Sequence, residues 1–321
     1  MLEILYAILP VFLIIGAGIV VEKIKLIPVN ASVGLNEYAI RLALPVLLIY
    51  IMADARPAEL FQWKLWLGVV AAHVIIYMGC YYADLLFVKR GKMPAVVSAL
   101  AGSGSMGAFV GIPIVMNLLP GNQEALLVAG VIAIVPSIFV AVGQIHLEIK
   151  KQQDGKQSNF LKVLTRSFFL NPLIIGMLVG LVLCLLEIGL WPPVERAAVL
   201  VGSTAAPCAL IGLGLNVRSQ LNLAAKAEHK VRYQTFIVVS KLVVLPFLTW
   251  GILLALGVGG APLLVSVVML ATGVGIGPYV VAAIYKAIPE QCALAVVLTN
   301  ILSMVSVTFF AYVLIKILQV I

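Results

Sequence analysis

Charge is what this sequence has least of. Only 13 of its 321 residues are acidic and 21 basic, so charged side chains make up 11% of the chain, against about a quarter of an average soluble domain. A water-soluble fold of this length could not cover its surface with so few charges, which excludes a soluble enzyme. The positive balance of +8 is dispersed through short loops rather than gathered on one solvated face, which excludes nucleic acid as a partner. Cysteine is sparse too. Cys80, Cys184, Cys208 and Cys292 form no C-x-x-C and have no partner at metal-ligand spacing, so they read as small apolar packers and no metal site is expected. There is no His-Glu-x-x-His, no pair of mid-span aspartates and no Gly-x-Ser-x-Gly. The usual constellations of an intramembrane enzyme are therefore missing, and no cofactor is implied.

What is present in excess is apolar sequence. Hydrophobic residues make up 63% of the chain and the mean hydropathy is +1.16, the composition of an all-α integral membrane protein surrounded by lipid. About 20 apolar residues cross a bilayer as a helix. On that basis the sequence predicts ten spans: Leu2–Val21, Gly34–Met52, Leu65–Val88, Pro94–Leu119, Glu124–Glu148, Phe168–Leu190, Val194–Val217, Val231–Leu256, Pro262–Ala287 and Gln291–Ile317. Glu3 and the lack of a small-residue cleavage site make the first of these a retained span rather than a signal peptide. Fifteen Lys and Arg residues fall in the odd-numbered connections and only Arg56, Lys64 and Arg196 in the even-numbered ones. By the positive-inside rule this puts the odd loops in the cytoplasm, with the protein multi-pass in the cell (inner) membrane and both termini on the extracytoplasmic side.

The two halves match at a nearly constant offset. Pro10, Gly16 and Gly18 correspond to Pro172, Gly176 and Gly180; Ala43-Leu44-Pro45 to Ala205-Ala206-Pro207; and Gly107-x-x-x-Gly111-Ile112-Pro113 to Gly273-x-x-x-Gly277-Pro278. Five spans per repeat is an odd number, so the second half enters the membrane in the opposite sense. The expected organisation is a first repeat over residues 1–148, a cytoplasmic linker over 149–167 and a second, inverted repeat over 168–321. Inverted repeats are common in secondary transporters, whose site lies near the midplane where the repeats meet.

Spans four and nine carry the strongest mechanistic signal. Ala101-Gly102-Ser103-Gly104-Ser105-Met106-Gly107 leads into Gly111-Ile112-Pro113, and Ala271-Thr272-Gly273-Val274-Gly275-Ile276-Gly277-Pro278 is its counterpart. Each interior Gly costs a helix about 1 kcal/mol and each Pro about 3, so both spans are expected to unwind at mid-membrane and to cross there. The freed N–H end of a half-helix suits an anion and the freed carbonyl end a cation. The expected substrate site comprises Ser103, Ser105, Met106, Gly111, Ile112, Pro113, Thr272, Gly277 and Pro278. The Gly102-x-Gly104-x-x-Gly107 match to a dinucleotide fingerprint is spurious, because no strand precedes it.

These features together resemble the auxin efflux carrier family, of bacterial type, within the wider group that includes the bile acid:sodium symporters. The resemblance runs the whole chain through Asn36-x-Tyr38, Leu44-Pro45, Asn171-Pro172, Lys241 and Pro246. It implies a scaffold domain of spans 1, 2, 6 and 7, a transport domain of spans 3–5 and 8–10, a small organic anion as substrate, and a homodimer formed through the scaffold. Many members carry an Asn five residues before the Gly of Gly-Ile-Pro. Here that position is Met106, so the substrate contact must differ.

An ionisable residue inside a span is a functional candidate by default. Lys241 is the expected countercharge for the anion. His73, Asp84, Asn300 and Ser303 are candidates for cation or proton coupling, although Asp84, with Glu148 and Glu187, falls near a span end where an interfacial position is expected. No Asp or Glu lies within either interrupted span, so sodium could be held there only by neutral oxygens, and sodium-independent transport is favoured. The alternatives are a sodium-coupled symporter of the bile-acid type and, from other classes, an intramembrane enzyme or a channel.

Overall fold

The computed structural model describes residues 2–55, 62–153, 161, 165, 170–225 and 231–318. Among the described residues the secondary structure is helical throughout. In chain order the helices are α1 Leu2–Lys23, α2 Ala31–Tyr38, α3 Leu44–Ala53, α4 Trp63–Ala83, α5 Lys92–Ser103, α6 Ile112–Leu118, α7 Gln123–Ile132 and α8 Val135–Gln153. They continue as α9 Pro172–Leu185, α10 Pro192–Ser203, α11 Ala205–Ala224, α12 Val231–Val239, α13 Leu245–Ala255, α14 Gly260–Leu270, α15 Ile276–Ile284 and α16 Pro289–Leu318. Among the described residues eight continuous or nearly continuous segments are long and apolar enough to cross a membrane.

The expected sixth and ninth spans fall short of that length, for different reasons. α9 has 14 residues, a rise of about 21 Å, and residues 166–169 before it lie outside the described residues. The ninth is divided into α14, of 11 residues, and α15, of 9, by the unwinding that its glycines predict. Lys150 and Lys151 sit on the last turn of α8, so the fifth span extends as a helix past its expected end at Glu148. Arg56, Lys156, Lys162, Arg166, Lys226 and Lys230 lie outside the described residues.

Three prolines explain a recurring irregularity. Pro45, Pro113 and Pro246 each occupy the second residue of a helix, and each follows a five-residue π turn: Ala39–Ala43, Gly107–Gly111 and Ser240–Val244. A proline ring within a continuous helix collides with the carbonyl four residues back and leaves it without a donor. Here those carbonyls belong to Arg41, Phe109 and Leu242, all inside the π turns. The wider turn makes room for the ring without stopping the helix.

Packing falls into two sets of helices. α1 and α2 pack on α11, while α3 packs on α9 and α10. In the other set α4 contacts α5 and α13, α5 contacts α8 and α15, and α14 contacts α7, α13 and α16. The sets meet where α11 lies on α16, α1 on α6 and α3 on α7. The segment Lys92–Leu118 is the most enclosed, 89% of its central window being buried against 22% for Ile4–Lys23. The fourth span is thus the axis of the molecule and the first faces outward. Large apolar side chains such as Leu13, Phe87, Leu200 and Val305 are left on the outside, as a lipid environment requires.

Glycine allows the closest approaches. A Cβ on Gly18 of α1 would lie 2.6 Å from the Ile211 carbonyl oxygen and 3.0 Å from Gly214 Cα of α11. One on Gly176 of α9 would lie 2.7 Å from the Pro45 oxygen of α3. Backbone cannot yield as a side chain can, so these pairs set the interhelical distances. Gly16, two residues from Gly18, faces open space. Gly18→Ala is therefore expected to destabilise the protein by about 1–3 kcal/mol through overpacking, while Gly16→Ala gains up to about 1 kcal/mol of helix propensity. Thermal denaturation of both purified variants checks the opposite signs.

Candidate functional site

The site is built from two interruptions in the most buried part of the molecule. α5 ends at Ser103, and Gly104 is extended, with φ −67° and ψ 138°. Helical geometry resumes in the π turn at Gly107 and continues through α6. In the ninth span α14 ends at Leu270, Gly275 is extended at φ −70° and ψ 169°, and α15 starts at Ile276. None of the glycines in either break has a positive φ. They are needed for proximity instead: a Cβ on Gly104 would lie 3.0 Å from Pro278 Cγ, on Gly275 3.2 Å from the Ser105 carbonyl oxygen, and on Gly273 2.6 Å from Asn300 Oδ1.

The two breaks touch through their main chains. The Met106 N–H donates to the Gly273 carbonyl at 2.9 Å, so one interruption satisfies a polar group of the other. α16 completes the accounting: Val274 N–H donates to Thr299 Oγ1 at 3.0 Å and Asn300 Nδ2 donates to the Val274 carbonyl at 3.0 Å. The prolines lie C-terminal to the unwound residues, Pro113 in α6 and Pro278 in the first turns of α15. What holds the chain open is therefore this set of cross-bonds together with glycine packing, more than the prolines themselves.

Lys241 joins both breaks. It sits in the π turn Ser240–Val244, has 0% of its surface exposed, and donates from Nζ to Ser105 Oγ at 2.7 Å and to the Leu270 carbonyl at 2.6 Å. Leu270 is the last residue of α14, so the amine caps the carbonyl end of a half-helix, where partial negative charge collects. Its two partners are neutral oxygens. The opposite ends of the breaks, the first turns at Gly107 and Ile276, carry backbone N–H groups that lack a carbonyl within their own helix. The Lys241 donor and two helix N-termini give the region a positive potential, and no acidic side chain lies between Met93 and Leu118 or between Gly260 and Tyr285 to offset it.

The other expected residues divide. Ser103 Oγ donates back to the Ala99 carbonyl and Thr272 Oγ1 to the Met269 carbonyl, which leaves their oxygens free to accept. Met106 contributes its main chain, and its side chain is buried. Gly111 packs on Met269, and Ile112 and Pro113 open α6 behind it. Gly277 abuts Val140, and Pro278 touches the first break through Gly104. Asn300 stands at the breaks, whereas Ser303 is a turn further along α16 and bonds the Asn300 carbonyl. His73 is fully buried on α4, with Nδ1 on the Val69 carbonyl at 2.8 Å and its ring on Phe139.

Asp84 departs from its expected interfacial setting. It is completely buried, accepts from Arg90 at 2.8 Å and from Ser98, and Arg90 in turn reaches Gln291 and lies over the Tyr233 ring. This ion pair is a structural tie between α4, α5, α12 and α16. Glu148 is buried too, and Tyr285 donates to it at 2.7 Å. Two participants carry weak sequence signals. Thr299 is betrayed only by its neighbour Asn300, and the Leu270 carbonyl by nothing at all. Among the described residues no three His, Cys, Asp or Glu side chains gather as metal ligands.

The sequence matches the family described as membrane transport protein over residues 3–311. The chain belongs to that family, the auxin efflux carrier family. Within known proteins it is similar to a Rhizobium meliloti (strain 1021) protein named "Putative malonate transporter", at 24% identity over 318 residues, which cover 97% of this chain and 96% of the relative. Membership of that family makes the protein a membrane transporter, and its apolar helices make it multi-pass.

For this transporter the cross-bonds at the breaks are directly testable. Thr299→Val keeps the side-chain shape but leaves the Val274 N–H buried without its acceptor. The expected cost is about 1–3 kcal/mol, seen as a lowered midpoint in thermal denaturation of purified protein.

Proposed function

We propose that the protein is a secondary carrier of small organic anions, carboxylates of the malonate type among them, and that it works by alternating access with its site where spans four and nine cross. The observation that carries this reading is the buried Lys241 amine bridging Ser105 and the Leu270 carbonyl. A basic donor at that depth, flanked by two half-helix N-termini and by no acidic side chain, selects for an anion. The anion contacts are assigned to Lys241, Ser105 and the N–H groups at Gly107 and Ile276–Gly277, with Ser103 and Thr272 nearby. The name of the Rhizobium relative agrees with a carboxylate.

The architecture proposed with it is ten spans in an inverted five-plus-five repeat. The sequence offset between halves supports it, as do breaks at equivalent positions and the glycine contacts that join span one to seven and two to six. Spans 1, 2, 6 and 7 form the scaffold and the others the moving transport domain, a division that follows the two packing sets. A homodimer through the scaffold, and a cell-membrane location with both termini outside, complete the proposal. An intramembrane enzyme finds no support, because the buried carboxylates Asp84 and Glu148 are engaged in structural bonds.

Uptake of radiolabelled malonate into proteoliposomes, with malonate-induced stabilisation of purified protein as a binding assay, tests this function. Lys241→Gln is expected to weaken binding by at least about tenfold, as loss of a charge-assisted contact should. Ser105→Ala should weaken it less. Undiminished binding by Lys241→Gln, or no response of the parent to any mono- or dicarboxylate, would sink the proposal.

A further inference from the structure

Lys241 differs from every other buried charged group in its partners. Among the described residues the fully or nearly buried charges are Asp84, Glu148 and Lys241. Asp84 is matched by Arg90 and Glu148 by Lys151. Lys241 has only Ser105 Oγ and the Leu270 carbonyl. A neutral amine has two N–H donors and an ammonium three. Among the described residues the protein therefore supplies acceptors for two N–H groups, as many as the neutral amine has, and the third N–H of an ammonium is left for something that enters the breaks.

The surroundings offer no other charge. The helices packed on the π turn Ser240–Val244 are α4, α5, α12, α13 and α16. From α4 the titratable groups facing it are His73, within electrostatic reach of Lys241, and Cys80, which lies against Ser240. From Met93 to Ser103 of α5, along α13, and from Gln291 to Ile315 of α16 there is no charged residue. On α12, Arg232 is exposed at the far end and the buried Tyr233 is bonded to Ser98 beside the Asp84–Arg90 pair, whose charges offset each other.

We propose that Lys241 is a proton-coupling site: its neutral amine takes a proton from the open side as the carboxylate binds, forming the third N–H bond to the anion, and releases that proton with the anion on the other side. The site then carries one proton with each anion and needs no sodium, because a tethered ammonium stands on the carbonyl end of α14 where a bound cation would otherwise sit. Proton and anion occupancy favour each other by linkage, since each improves the other's electrostatics by the same amount. This rests on the carboxylate-carrier reading above.

The experiment is calorimetric titration of malonate into the purified full-length protein at alkaline pH, where a dicarboxylate carries no proton of its own, in buffers of different ionisation enthalpy. The parent is expected to take up about one proton per malonate bound, with affinity falling about tenfold per pH unit. Lys241→Arg, permanently charged, should bind without proton uptake, and His73→Gln should keep the uptake. Malonate binding by the parent without proton exchange overturns the coupling and leaves the carrier reading standing. Uptake that persists in Lys241→Arg, or disappears in His73→Gln, overturns the assignment to Lys241. Absence of binding by the parent of malonate and of every other mono- or dicarboxylate overturns both readings. In proteoliposomes, malonate uptake should survive replacement of sodium by choline; its loss there would also overturn the proposal.

Discussion

The constraint on which this structure turns is that a helix interrupted inside a bilayer must find partners for its freed backbone groups within the protein. Two interruptions placed against each other solve part of that problem, as in the bond from Met106 N–H to the Gly273 carbonyl. α16 solves another part with Thr299 and Asn300. Lys241 solves a third part with a donor at the carbonyl end of α14. The starts of the second half-helices bring N–H donors to the same place. Donors of both kinds give the centre of the molecule a positive bias.

The position of Lys241 depends on a second constraint, a steric one. Pro246 would collide with the Leu242 carbonyl in a regular helix, and the π turn Ser240–Val244 removes the collision. Inserting one residue into a helix also rotates everything before it by about 100° relative to everything after it. α12 can thus present Tyr233 and Gln234 inward while α13 faces α4 and α14, with Lys241 between them aimed at the breaks. The same pairing of π turn and proline precedes α3 and α6, so the device recurs in spans two and four.

Much of this was legible in the sequence, because the signals were large. An apolar fraction of 63% decides for a membrane, and glycines clustered at mid-span in Ala101–Gly107 and Ala271–Gly277 decide where helices stop. Lys241 stood out because a lysine ten residues into an apolar run has few explanations. The reach of its amine was not legible, since it depends on a backbone carbonyl, which has no letter of its own. Asp84 misled for a related reason: sequence gives its distance from a span end, while its burial comes from Arg90 folding back across the π turn Asp84–Val88 and from Ser98 on the next helix. The glycines of the breaks act by their size as well as by the helix propensity they lack, since none has a positive φ and a Cβ on Gly273 or Gly104 would meet a neighbour.

Met106 shows how the same main-chain geometry tolerates a changed side chain. The resemblance to the auxin carriers leads one to expect a polar Asn there, yet the position contributes its N–H to the facing break and buries an apolar side chain. A side-chain amide would have offered both a donor and an acceptor at the centre of the site. Without it the polar side chains around the breaks are Ser103 and Thr272, which donate to their own helices, Asn300, which donates to the Val274 carbonyl, and Ser105, which accepts from the Lys241 amine. The carboxylate proposed as cargo would use the donor side of that set, the N–H groups that open the second half-helices and the Lys241 amine, since an acceptor left unmatched at this depth is costly.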